Sequence, residues 1–166
     1  MDFYGQPVRV LENEFLRLEY LEQAGPRIVR LFLAGTDFNL FAEMPDFVVT
    51  TAFGDYHFTG GHRLWHSPEQ LPRTYIPDDQ PVNIQVLPNG VRLVQEVEAA
   101  TGIRKSIEIL LNPGSSSVSL HHRLENEGLW AVRLAPWAIT QMIHGGVAIL
   151  PQQAPSDPRN GLGPDR

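Results

Sequence analysis

Cysteine is absent from the 166 residues, which removes disulfide scaffolds, thiolate zinc sites, iron–sulfur clusters and a cysteine nucleophile together. Lysine is almost absent as well. Lys105 stands alone, and the other basic residues are arginines that never gather into a run. With 13 basic against 19 acidic residues and a formal charge of −6, the chain lacks the electrostatic footprint of a nucleic-acid or anionic-membrane binder. No apolar stretch approaches the roughly 20 residues needed to span a bilayer. The start, Met1-Asp2-Phe3-Tyr4-Gly5, has neither the basic nor the apolar region of a secretion signal. A cytoplasmic protein with no nucleic-acid or membrane partner is expected.

Helical periodicity is missing too, since no window sustains an apolar repeat of 3.6 residues. Gly-x-Ser-x-Gly, the phosphate-cradling loop and the dinucleotide fingerprint are all lacking, so no cofactor is expected. What the chain does contain is a globular composition, 42% hydrophobic and 19% charged, with 14 Gly and 14 Pro to punctuate it. The length suits one ordinary domain.

The punctuation predicts strands. Val82, Ile84 and Val86 alternate with polar residues, Pro88-Asn89-Gly90 turns the chain, and Val91–Val97 returns. Asn-Gly accepts the positive φ angles of a tight hairpin. Further strands are expected at Ile103–Leu111, Val118–Glu125 and Leu129–Trp137, giving a five-stranded antiparallel meander. Three shorter strands, Val8–Val10, Leu16–Tyr20 and Ile28–Leu33, precede a connection from Asp37 to Asp79 that has no clean period and reads as a long loop. The fold class expected is all-β, an antiparallel β-sandwich. Residues 1–150 would form it, and the Pro- and Gly-rich residues 151–166 would form a flexible tail.

Candidate chemistry concentrates in Gly60-Gly61-His62-Arg63-Leu64-Trp65-His66-Ser67-Pro68-Glu69. The glycines permit close backbone approach, Arg63 offers a fork of donors, and Trp65 offers a flat face. Sugars present hydroxyl edges and C–H faces, which suits such a mixture. The competing reading is a Gly-Gly turn followed by a strand with Leu64 facing the core. His57, His62 and His66 lie close together, but Gly60-Gly61 and Pro68 discourage the helix that would pair two of them, and no metal site is expected. Strand parity places His122 with Val118, Leu120 and Leu124 on the core face, and His121 with Ser119 and Arg123 on the other. Glu69, Asp78 and Asp79 are the carboxylates nearest to the histidine-rich segment.

The segment Gly60–Glu69, the following Pro72-Arg73-Thr74-Tyr75 and Pro77-Asp78, and the stretches His122–Trp130, Leu134–Met142 and Gly145–Pro151 resemble the galactose mutarotase-like (aldose 1-epimerase-like) superfamily. The resemblance runs from about Val8 to Gln152. It implies a β-supersandwich that binds a monosaccharide or glycan end on a concave sheet, with His62, Arg63, Trp65, His66, Tyr75 and Trp137 as the binding residues. Family enzymes protonate the ring oxygen with a histidine and remove the anomeric proton with a glutamate. Here Trp137 stands where that imidazole would be sought, and the family's glutamate comes from a later region than this chain contains. Family domains are nearly twice as long, so the chain resembles the N-terminal half of such a sandwich. Three functions follow: a carbohydrate-binding domain, an epimerase-type isomerase whose carboxylate comes from elsewhere, and a structural or assembly sandwich. An open sheet face and edge would favour a two-fold homodimer.

Overall fold

Val86 and Val91 face each other across the Asn89-Gly90 turn, and from that hairpin the smaller of two packed sheets is built. In the computed structural model, which describes residues 1–151, the chain is an all-β sandwich with no α-helix among those residues. The tail expected at residues 151–166 lies outside the described residues apart from Pro151. The strands are β1 (Asp2–Phe3), β2 (Gln6–Glu12), β3 (Leu16–Leu21), β4 (Arg27–Leu33), β5 (Glu43–Thr51), β6 (Gly54–Gly60), β7 (His62–Ser67), β8 (Asn83–Leu87), β9 (Gly90–Val94), β10 (Ile103–Leu111), β11 (Val118–Asn126) and β12 (Ala135–Thr140). A 3-10 turn at Arg73–Tyr75 follows β7.

Six strands in the order β1-β2-β3-β4-β7-β12 form the larger sheet, and β11-β10-β9-β8 form the smaller. All their ladders are antiparallel. Alternation then decides the interior. Leu18, Tyr20, Ile28 and Leu64 point inward from the large sheet and meet Val91, Leu93, Ile107 and Ile109 from the small one. Leu93, Ile107 and Ile109 are completely buried. At about 25 cal/mol per Å2 of apolar surface, each such side chain contributes roughly 1.5–3 kcal/mol. A separate cluster of Phe3, Leu21 and Val29 closes the outer face under the N-terminal strands.

Two expectations are corrected. The segment 37–79 is not a long loop: it holds β5, β6 and β7. A register irregularity between Met44 and Val48 interrupts the β5–β6 hairpin, which hides its period. Strand β7 lies between β4 and the edge strand β12 and is buried on both sides, so its polar and apolar residues do not alternate. The five-stranded meander is also shorter than expected. After β11, the Asn126 side chain accepts from Gly128 N and donates to the Trp130 carbonyl, turning the chain away. Residues 128–134 are irregular, and β12 crosses to the large sheet to pair with β7. Pro136 fits there because an edge strand tolerates a missing N–H.

Candidate functional site

Strand β7 divides the predicted binding residues by parity. Arg63 and Trp65 project to the outer face of the large sheet, while His62 and His66 project between the sheets with Leu64. Opposite Trp65 on β12 lies Trp137, their ring centroids 5.3 Å apart. Tyr75 from the 3-10 turn packs 5.0 Å from Trp65, and the β5–β6 hairpin adds Tyr56 and Phe58 at 5.7 and 5.8 Å. Four of the six residues therefore form one aromatic-cationic cluster. The expectation that His62 and His66 share its surface is corrected: a two-residue strand period sends them to the opposite side.

The positions of the two glycines explain why the strand starts where it does. Gly61 has φ 66°, and a Cβ there would stand 2.0 Å from the Ile28 carbonyl oxygen. Gly60, at φ 90°, would bring its Cβ equally close to the Ala42 carbonyl. The close approach read from Gly-Gly is thus to the protein's own backbone rather than to a ligand. Thr59 just before them also has φ 63°, a conformation that costs a β-branched residue on the order of 1–2 kcal/mol.

Arg27, unremarked in the sequence, compensates. It is fully buried and donates to the His57 and Phe58 carbonyls, to Thr59 Oγ1, to Tyr56 Oη, and through Nη2 to both Asp78 carboxylate oxygens at 2.7 and 2.6 Å. Burial alone would lower its pKa, but Asp78 and Tyr56 outweigh that and raise it. Burial pushes the Tyr56 phenol up to about 12, with Asp78 adding to the effect. Asp78 is therefore a structural counter-ion, and Arg27 pins the hairpin and the 68–82 connection onto the outer face. A charged residue gathering six acceptor atoms from five distant residues gives no local signal, so only the folded chain reveals it.

Arg63 has no such counter-ion. It is 2% exposed, and its Nη1 donates to Gln141 Oε1 at 2.6 Å, while Nε has no partner. The guanidinium stacks 4.5 Å from the Trp65 ring centroid. Burial, reinforced by Arg27, lowers its pKa. No carboxylate among the described residues forms an ion pair with it. The surface that solvent reaches lies beside Trp137, where Ser67, Pro68, Glu69, Ala135 and Pro136 join the indole around an open groove of about 460 Å3. Tyr75 Oη donates to Glu69 at its rim. Trp137, Glu69 and Ser67 are the groups a ligand could touch, and Arg63, Trp65 and Gln141 support them from beneath. Gln141 was missed because it follows a strand that was expected to belong to the other sheet.

His62 occupies the interior instead. Its Nδ1 is 2.7 Å from Thr140 Oγ1 and its Nε2 is 2.8 Å from Nε2 of His122, which β11 aims inward as parity predicts. Burial, then the neighbouring His122, brings the His62 pKa down to about 4. His66 is 1% exposed and neither of its ring nitrogens has a partner.

Comparison of the chain with protein families, with curated proteins and with solved structures returned no match. Among the described residues, no helix is long and apolar enough to cross a membrane.

Proposed function

We propose that the chain is a carbohydrate-binding domain that holds a monosaccharide or glycan end against the outer face of its larger sheet, in the manner of a galactose mutarotase-like sandwich. The observation that carries this reading is the cluster beneath the Trp137 groove: a buried arginine without a carboxylate, stacked on Trp65, whose ring in turn packs against Trp137. A sugar ring lays its C–H face on an indole and offers its hydroxyls to groups at the edge, here Glu69 and Ser67. The support from Arg63 and Gln141 fixes the tryptophan pair, so that little ordering remains when ligand arrives. The reading is one of binding; both interior histidines, His62 and His66, project away from this groove.

Titration of a panel of monosaccharides against tryptophan fluorescence tests it, because Trp65 and Trp137 report the groove. A saturable change that Trp137→Ala abolishes is the expected result. Arg63→Ala should weaken binding indirectly and less than Trp137→Ala does, because the buried guanidinium supports the Trp65–Trp137 pair without touching the ligand. Emission that stays constant across the panel would sink the proposal. Polarimetry on freshly dissolved anomers separates binding from isomerase turnover.

A further inference from the structure

At one end of the sandwich, on the opposite side of β7 from the tryptophans, a cavity of about 250 Å3 opens between the sheets. At roughly 30 Å3 per water, it holds the equivalent of about eight water molecules. Phe53, Ile76, Ile103 and Leu134 make its walls apolar, and the polar groups that reach it are His66, Arg73 and Thr101. Two of these carry buried atoms without a partner. Both nitrogens of the His66 ring are unsatisfied although the residue is 1% exposed, and so is Arg73 Nε. Buried polar atoms are normally paired, and those left unpaired in a cavity mark where an absent group would bond.

The charges around the cavity indicate which kind of group that is. Behind His66 lies Lys105, buried and paired with the equally buried Glu98, whose other oxygen accepts from Thr101 Oγ1 at 2.6 Å. That pair is neutral as a unit. Arg73 is not neutralised: its Nη2 donates to the Pro68 carbonyl at 2.7 Å, and no ion pair to it occurs among the described residues. Burial, then Lys105, with Arg73 acting in the same direction and Glu98 against, lowers the His66 pKa. At neutral pH the ring therefore has one N–H to donate and one nitrogen to accept. The cavity thus combines two unsatisfied N–H donors and one uncompensated positive charge with an apolar wall.

We propose that this cavity is a second ligand site, which takes a small carboxylate bearing an apolar body, its oxygens accepting from His66 and Arg73. No residue lines both this cavity and the sugar groove, although Arg73 also donates to the Pro68 carbonyl at the groove's edge.

Sodium benzoate is a suitable probe, with benzamide as its neutral isostere. Histidine ring nitrogen signals of the 15N-labelled protein, with His66 assigned by its loss in His66→Gln, report the cavity directly. Benzoate should shift the His66 signals saturably, and benzamide should bind at least about tenfold more weakly, as expected when a charge-assisted hydrogen bond becomes neutral. Arg73→Met should weaken benzoate by a similar factor, and Trp137→Ala should leave it unchanged. Unchanged His66 signals at millimolar benzoate mean that water alone fills the cavity, and overturn the proposal. Equal affinity for benzamide overturns it as well, and that comparison needs only the wild-type protein, should Arg73→Met fail to fold.

Discussion

Acid should loosen this sandwich through its interior histidines, and His62 allows the size of the effect to be worked out. In the folded chain its ring is 3% exposed, lies against Thr140 and His122, and has a pKa of about 4, chiefly because burial disfavours the imidazolium. In the unfolded chain it titrates near 6.5. Between these values the unfolded state binds more protons, so stability falls as the pH falls. The stabilisation from a neutral His62 is complete above about pH 6.5 and is lost progressively down to about pH 4. A gap of about 2.5 pH units, at about 1.4 kcal/mol each, amounts to about 3.5 kcal/mol. That is a large share of the 5–15 kcal/mol typical of a domain. His66 and His122 are shifted downward as well, mainly by burial, and steepen the same slope. Urea midpoints collected from about pH 4.5 to 7.5 measure this as a curve of stability against pH. His62→Gln should lower stability at neutral pH by about 1 kcal/mol, the net value of a lost hydrogen bond, yet flatten the curve. A variant curve running parallel to the wild type would refute the linkage.

Arg27→Met should destabilise the fold by about 3–5 kcal/mol in urea unfolding, because it strands Asp78 and several carbonyl groups that the guanidinium now satisfies. Gly61→Ala should cost well over about 1 kcal/mol in the same assay, given its φ of 66° and the 2.0 Å approach to Ile28. Gly146→Ala, where nothing lies within 4 Å, should stay within about 0.5 kcal/mol of wild type. Equal effects at the two glycines would contradict the steric reading. Strand β12 forms an edge of the large sheet, and Leu129, Trp130, Val147 and Ile149 are each at least 80% exposed. Light scattering at micromolar concentration should therefore detect a dimer; a monodisperse monomer of 18.6 kDa defeats this expectation.

Local chemistry was sufficient for the small sheet. Alternation in Ile103–Leu111 and Val118–Glu125, with the turn at Asn89-Gly90, specifies four strands and their order, because each pairs with a sequence neighbour; the fifth strand expected there, Leu129–Trp137, is misplaced, since β12 pairs with β7 instead. The same parity aimed His122 inward before its partner was known. The aromatic character of the candidate groove was also legible, through Trp65, Tyr75 and Trp137.

The large sheet and the division of the site were decided by tertiary structure. Strand β7 is buried on both sides, so its sequence carries no alternation to read, and its partner β12 is about 70 residues away. Pairing over that separation is selected by which faces can be buried together, a property of the whole chain rather than of any window. Once β7 is placed, its two-residue period assigns Arg63 and Trp65 to one side and His62 and His66 to the other. Sequence alone determined which residue types lie in that segment. Whether Arg63 meets Gln141 or a carboxylate, and whether His66 meets a partner or a cavity, depends on distant strands brought within hydrogen-bond reach, and only the folded chain decides it.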